Sequence, residues 1–417
     1  MTGAPPMRND CFALPPGAAW TPVDDALARL RGALACVCAP ETVALMAADG
    51  RILAADARAL RDHPPSANSA VDGYAFAHAA MGDGVLPLLQ GRAAAGAGYR
   101  GVVAPGAALR ILTGAPIPQG CDTVAMQEDV TVADGAIRFE PRLRRGANVR
   151  PAGENLAAGA VAASAGRRLT PMDLAQIAAG GLGAVSVRRR LRVAVLSTGD
   201  EVTAPGADAG PDAVFDANRP ILLAMLRRWG CETVDLGVAP DADAAVRAAL
   251  DRGAAQADAI LTSGGASAGD EDHMSRILRE ADALTVWRIA MKPGRPLAMG
   301  VWRGKPVFGL PGNPVAAFVC ALIFARPALS VMAGAGWPEP RPIMVPAAFS
   351  KRKRAGRREF LRARLTDAGA VEVYRSEGSG MIGGLVWAEG LVELPDAAAE
   401  IAPGDPVAFL SYASFGL

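Results

Sequence analysis

Apolar positions along the chain follow one grammar after another, and each predicts a different kind of structure. Thr21 opens a helix that runs to about Leu34, with Pro22 in its first turn and Asp24 placed close to a capping box. Val23, Leu27, Leu30 and Leu34 share one face of that helix. The pattern turns irregular between Arg51 and His63, and Pro64-Pro65 forces extended backbone. From Val71 to about Arg150, short apolar runs are broken by glycine. Gly101-Val102-Val103, Arg110-Ile111-Leu112, Thr123-Val124-Ala125-Met126 and Ala136-Ile137-Arg138-Phe139 read as strands of a small β domain. Helix returns after Pro151, most clearly where Thr170 caps and Pro171 opens a run to about Ala179.

Between Leu191 and Ala333 the two periods alternate. Strands are predicted at 191–196, 232–238 and 257–262, and helices at 218–229, 241–252 and about 271–280. Strand-like residues 283–290 and Val307-Phe308 precede an apolar helix after Asn313. This alternation predicts an open, mostly parallel sheet covered on both faces. After Trp337-Pro338, predicted strands at 360–364, 371–374, 391–394 and 407–410 form a second small β domain, partly barrel-like. The expected class is multidomain α/β, with a central α/β/α sheet domain, two small β-rich domains and a mixed N-terminal linking domain. The linking domain takes residues 20–55 plus 151–188, and the inserted β domain takes 56–150. The α/β domain spans 189–335 and the C-terminal domain 336–417.

Composition narrows the function classes. At 417 residues the chain exceeds one ordinary domain, and 51% hydrophobic residues supply real cores. The 43 basic and 42 acidic residues nearly cancel, which argues against nucleic acid as a partner and leaves room for local anion sites. No apolar stretch follows Arg8, so no signal peptide is expected. The longest apolar run, 314–325, is too short to cross a bilayer and ends at Arg326, so it reads as a buried helix and no membrane is expected. Cys11, Cys36, Cys38, Cys121, Cys231 and Cys320 are too scattered for a disulfide framework. Cys36 and Cys38 are placed on a helix, facing apart, and three histidines complete no zinc set. Cytoplasmic residence fits this usage.

Three loops reach the carboxyl ends of predicted strands, where ligands sit in open α/β sheets. They are Ser197-Thr198-Gly199-Asp200-Glu201, the run from Ser263-Gly264-Gly265 through Ser267 to Asp270-Glu271-Asp272, and Gly309-Leu310-Pro311-Gly312-Asn313-Pro314. Glycine lets backbone approach a bound group, helix N-termini offer free N–H donors, and carboxylates beside them suit Mg2+. One such loop alone is an ordinary turn; three on one sheet predict an anionic-ligand site. Met291-Lys292-Pro293-Gly294-Arg295-Pro296 adds two cations on a rigid loop, a pattern suited to an oxyanion. Taken alone, Asp72-Gly73 and Thr113-Gly114-Ala115-Pro116 read as turns. The basic run Lys351-Arg352-Lys353-Arg354 with Arg357-Arg358 lacks interleaved aromatics, and reads as a solvated edge or a local oxyanion patch.

In order and spacing these segments resemble the molybdopterin molybdotransferase family, which includes the C-terminal domain of gephyrin. The matching words are residues 68–75, 111–118, 126–128, 150–155, 197–201, 263–272, 292–296, 310–314, 356–360 and 378–380, so the resemblance spans roughly 25–410. It implies a homodimer of four-domain subunits, with the active site between domains and partly completed by the second subunit. The implied reaction is insertion of molybdate into adenylyl-molybdopterin with release of AMP, dependent on Mg2+. Other cofactor-synthesis proteins are implied partners. Asp72 and Thr113 would complete the site from the β domain, while Glu201, Asp270 and Asp272 would hold Mg2+ or position the adenylylated ligand. Lys292, Arg295 and Ser379 correspond to molybdate-binding groups. Further substrate contacts are implied at Arg150, Asn155, Ser197, Thr198, Gly199, Ser263, Gly264, Gly265, Ser267, Pro296, Pro311, Gly312, Asn313 and Arg357. The chain departs from the family pattern at Asn155, Ala316, Glu377 and Glu389, where Asp, Ser, Gln and Asn are usual. Added negative charge at Glu377 and Glu389 would weaken an oxyanion site by repulsion. A diverged paralogue, a non-catalytic cofactor carrier and adenylylation of molybdopterin on the same scaffold are the alternative readings.

Overall fold

The computed structural model describes residues 20–264, 274, 277, 278, 283–294 and 296–417. They divide into two compact units, one of residues 40–187 and the other of residues 20–39 with 188–417.

In the first unit, strands Thr123–Met126, Gly73–Phe76, Ala108–Ile111, Val85–Ala93, Ala136–Arg138 and Thr131–Ala133 form a six-stranded sheet in that order. Successive side chains point to opposite faces of a strand, and here both faces are covered. Ala75, Leu109, Ile111 and Val124 build one core, and Phe76, Leu86, Ala108, Ala125 and Ile137 build the other. That is why these runs are continuously apolar and not alternating. Gly101-Val102-Val103 is not a strand; Val102 makes only an isolated bridge to Gln119. Helix Pro171–Ala179 begins as expected: the Thr170 side chain accepts from the Asp173 amide, and the Asp173 carboxylate accepts from the Thr170 amide at 2.9 Å. Its Ile177 packs with Leu45, Leu53, Leu169 and Val187. The first and last strands of the unit, Pro40–Ala44 and Ala184–Arg188, are neighbours.

The second unit carries a six-stranded sheet in the order Glu232–Ala239, Arg192–Thr198, Ala259–Ser263, Lys305–Leu310, Pro296–Trp302, Ala283–Arg288. The first four strands are parallel, and Pro296–Trp302 alone runs against them, antiparallel to both Lys305–Leu310 and Ala283–Arg288, so the sheet is mixed. Strand Pro296–Trp302 escapes the sequence reading because a proline opens it and Gly300 interrupts it. Helix Asp243–Gln256 buries Val246, Ala249 and Leu250 against Ala194, Leu196 and Ile260. Val193 and Val195, which alternate with those strand residues, are equally buried, and helices Asn218–Arg228 and Pro314–Cys320 pack on each other and on the sheet. Of the helix expected near 271–280, only Met274, Ile277 and Leu278 are described, and they join the core around Ile260. The apolar helix does not end at Arg326. It runs from Pro314 to Ala333 through a π segment, Ala321–Ala325, and is long enough to cross a membrane, but its most apolar stretch is 83% buried within the protein. The π segment lies just before Pro327, which lacks the N–H for a regular helical bond.

Beyond this helix, Met291–Lys292, Arg358–Leu365, Gly390–Leu394, Pro406–Ser411 and Ile343–Pro346 form another sheet, with Val371–Val373 added to Arg358–Leu365. Leu361, Ala363, Val392, Val407 and Phe409 fill its core, and Lys351–Lys353 pairs separately with Ala399–Ile401. Residues 20–39 belong with this unit, whereas the sequence reading assigned them to the linking domain. The helix at 23–33 buries Val23, Ala26 and Leu30 and packs on helix Arg326–Ala333, and Arg358 adds an ion pair by donating to both oxygens of Asp24 at 2.8 Å. Helix Val23–Ala33 therefore starts after Pro22 with no side-chain cap, since Asp24 is engaged elsewhere and Thr21 bridges to Ile289. Cys36 and Cys38 follow that helix and are not on it, because the chain is already extended at Leu34.

Candidate functional site

In the first unit, three of the recognised words converge at one end of the sheet. Asp72 stands before strand Gly73–Phe76, and Thr113 follows Ala108–Ile111, its neighbour. The Thr113 amide and hydroxyl both donate to one oxygen of Asp72, at 2.7 and 2.8 Å. Those two donors hold the exposed Asp72 carboxyl below its usual range. Gln127 donates its amide to the Asp72 carbonyl, and its side chain accepts from Arg110 at 2.6 Å. Arg150 and Asn155 are exposed elsewhere in the unit; Arg150 pairs with Asn68 through backbone, and the Asn155 amide donates to the His63 carbonyl.

In the second unit, the strand ends collect as expected. Ser197, Thr198 and Ser263 are buried at the carboxyl ends of adjacent parallel strands. Among the described residues, the hydroxyls of Ser197, Thr198 and Thr262 are buried without a hydrogen-bond partner. Such groups cost about 1–3 kcal/mol each unless something polar meets them. Gly264 has φ +93°, and a Cβ there would lie 2.4 Å from the Thr198 carbonyl oxygen, so the two loops touch through backbone. Asn218 was not singled out from the sequence beyond opening a helix, yet it ties the loops together. Its Nδ2 donates to Ser263 Oγ at 2.7 Å and to the Gly312 carbonyl at 2.6 Å. The sequence signal was the polar Asp216-Ala217-Asn218-Arg219 before an apolar helix; Asp216 is itself buried and pairs with Arg219 at 3.0 Å. Gly199, Pro311, Gly312 and Asn313 border the same strand ends, with Asn313 preceding helix Pro314–Cys320.

Glu201 is exposed just past these loops, and the neighbouring Asp200 accepts the Asp241 amide at 2.9 Å. Gly265, Ser267, Asp270, Asp272 and Arg295 lie outside the described residues, and Pro296 begins its strand beside Arg288. Among the described residues no three His, Cys, Asp or Glu side chains gather as a metal cluster.

Lys292 opens a separate cavity of about 90 Å³ together with Pro293, Val315, Lys351, Arg362 and Glu377. Parallel pairing of Met291–Lys292 with Arg358–Leu365 sets Lys292 opposite Glu359. Glu377 takes ion pairs from Lys292 and Lys351 together. Lys351 also meets buried Glu359 at 3.2 Å, which lies 3.9 Å from Arg357. Burial works against charge on Lys351, but Glu377 and Glu359 outweigh it and raise its pKa. Burial likewise opposes charge on Glu377, yet the two lysines keep its carboxyl below the usual range. Buried Arg362 holds the loop before Ser379, donating to the carbonyls of Ser376, Gly378 and Met381. The Val315 amide donates to the Ser379 carbonyl at 2.9 Å, so one helix start serves both the strand ends and this cavity. Glu389 does not reach the cavity; it accepts the Leu365 amide at 3.2 Å. Ala316 is simply core. The basic run divides by strand alternation: Lys351 and Lys353 point inward, Arg352 and Arg354 outward.

Comparison with known proteins covers nearly all of this chain. Residues 21–181 match the MoeA N-terminal region (domains I and II), 194–331 a probable molybdopterin binding domain, and 344–412 the MoeA C-terminal region (domain IV). The chain is 33% identical over 373 residues to the molybdopterin molybdenumtransferase of Haemophilus influenzae, covering 88% of this chain and 92% of that one. It is 34% identical over 383 residues to molybdopterin molybdenumtransferase 2 of Mycobacterium tuberculosis, covering 88% and 94%. The crystal structure of the molybdopterin biosynthesis moeA protein from Pyrococcus horikoshii superposes with a TM-score of 0.84 at 26% identity, covering 94% of this chain and all of that one.

Proposed function

We propose, because the chain belongs to the molybdopterin molybdenumtransferase family, that it inserts molybdate into adenylyl-molybdopterin, releasing AMP, in molybdenum cofactor biosynthesis. The observation that carries the site assignment is the pairing of two features within one unit. Buried hydroxyls with no partner among the described residues lie at the strand ends, and a cation-lined cavity sits at the far side of the same helix start. The strand ends suit the adenylylated pterin, whose phosphates need N–H and hydroxyl donors. Lys292 suits molybdate, a compact dianion that needs a fixed cation. The protein contributes positioning and electrostatic stabilisation of the charge that develops as the phosphate link breaks. Glu201, with Asp270 and Asp272, would hold Mg2+; the exposed Glu201 carboxylate, on the loop that follows Thr198, is the oxygen-donor chemistry that ion prefers. When bound, Mg2+ would neutralise charge on the cleaved pyrophosphate.

The test is AMP release from adenylyl-molybdopterin, followed by chromatography with molybdate and Mg2+ present. Chelation should abolish release and added Mg2+ restore it. Lys292→Ala should raise the molybdate requirement about 10–100-fold, the loss of one charged contact or somewhat more. Release insensitive to both changes would sink the assignment; tight pterin binding without release would favour a carrier. Asp72→Asn tests the part in this reaction that the family resemblance implies for Asp72 and Thr113. A homodimer is expected on the same grounds, and sedimentation would read it directly. The five described cysteines are free thiols, which fits a reducing, cytoplasmic setting.

A further inference from the structure

The cation-lined cavity already holds an anion that belongs to the chain. We propose that Glu377 is an internal stand-in for the oxyanion: its carboxylate sits between Lys292 and Lys351, an incoming oxyanion displaces it, and it thereby sets the affinity of the site and the weakest anion that can occupy it. The proposal rests on the reading of Lys292 as an oxyanion-binding group.

Three observations support displacement over a purely structural ion pair. First, the Glu377 side chain is 46% exposed on a loop, where a carboxylate can swing into water at little cost. Second, the loop is held by Arg362 through the carbonyls of Ser376, Gly378 and Met381, so its course does not depend on the Glu377 carboxylate. Third, the cavity stays cationic whether or not Glu377 occupies it. Lys292, Lys351, Arg357 and Arg362 face Glu377 and Glu359, an excess of two positive charges that becomes three without Glu377, more than a monoanion neutralises. Among the described residues Glu377 is the one ion-pair partner of Lys292, whereas Lys351 keeps Glu359.

Selectivity follows from the same arithmetic. A monoanion offers the two lysines no more charge than Glu377 does, so it gains little by displacing it. A tetrahedral dianion brings twice the charge and more acceptor oxygens. A tethered competitor of high effective concentration lowers the affinity of every incoming anion by the same factor, which drops weakly bound monoanions below useful occupancy while a more tightly held dianion still binds.

The experiment is calorimetric titration of the full chain with molybdate, repeated with formate, for the wild type, Glu377→Gln, Glu377→Ala and Lys292→Ala. Thermal melts check that each variant is folded. Both Glu377 variants should bind molybdate about tenfold more tightly, the value of one partly exposed ion pair made to two lysines. Formate binding should strengthen by a similar factor, because both anions are relieved of the same internal competitor. In turnover, Glu377→Gln should lower the KM for molybdate by a larger factor than it changes kcat. Weaker or unchanged molybdate binding in both Glu377 variants, with Lys292→Ala still weakened, overturns this proposal and leaves the oxyanion site in place. Unchanged binding in Lys292→Ala overturns the site itself.

Discussion

A Cβ added to Gly73 would lie 2.0 Å from the carbonyl oxygen of Ala125 on the neighbouring strand, so no side chain fits there. Gly73→Ala should cost about 1–3 kcal/mol in urea unfolding of the β sheet, by forcing apart two strands that must touch. It should also disturb Asp72, the next residue, and hence its two bonds to Thr113. Asp258 makes a different demand. Arg189 grips both of its oxygens at 2.7 and 2.9 Å, and the Arg192 amide adds a third bond. Burial acts to raise the Asp258 pKa, but these donors win and hold it below 3.8. A depressed carboxylate stabilises the fold at every pH above its unfolded value. That contribution fades as pH falls through the lower, folded value. Asp258→Asn should therefore cost about 2–3 kcal/mol at pH 7, and the gap to wild type should close in acid melts below pH 3.8. Taken alone, Asp72 and Thr113 read as turns in the sequence, and the family resemblance was what assigned both to one site. Their contact spans 41 residues, and only strand pairing brings them together. Asn218 was missed for the same reason: its partners lie 45 and 94 residues away.

Elements with a local cause were the legible ones. Thr170, Pro171 and Asp173 specify a helix start within four residues, and the structure reproduces both bonds of the box. Thr170→Ala should lower stability by about 1 kcal/mol, visible as a drop in the melting temperature of the unit containing it. The parallel strands were legible because burial on both faces makes them uninterrupted apolar runs. Strand Pro296–Trp302 was not, and its turn explains why. Arg303 and Gly304 both have positive φ, 47° and 74°, and join Trp302 directly to Lys305 in a two-residue hairpin. Such turns usually carry Asn-Gly or Asp-Gly, so an Arg-Gly pair gives a weak cue. Arg303→Asn should favour this backbone and raise stability by about 0.5 kcal/mol, unless loss of the Arg303 pair with Asp251 cancels the gain. The four-residue basic run concealed strand alternation in a similar way, since like charges mask a period of two.

At the scale of the molecule, each unit has its own cores. Residues 40–187 contain three hydrophobic clusters drawn entirely from themselves. Because the first and last strands of this unit are neighbours, the segment leaves and rejoins the rest of the chain at adjacent points. Expressed alone, residues 40–187 should give a single cooperative melt and dispersed amide resonances; a broad, non-cooperative melt would show that the unit needs the remainder to fold.

The placement of helix Val23–Ala33 has a consequence in time. Its ion pair joins Asp24 to Arg358 across 334 residues. On a ribosome adding about 5–20 residues per second, the helix would wait roughly 17–67 s for that partner to be made. At 11 residues it is too short to hold its shape alone in water. During synthesis this helical segment thus stays unfolded while the unit behind it completes itself. It docks only when the C-terminal sheet emerges, so the newborn chain carries an unsheltered apolar face for most of its time on the ribosome, where a chaperone could meet it.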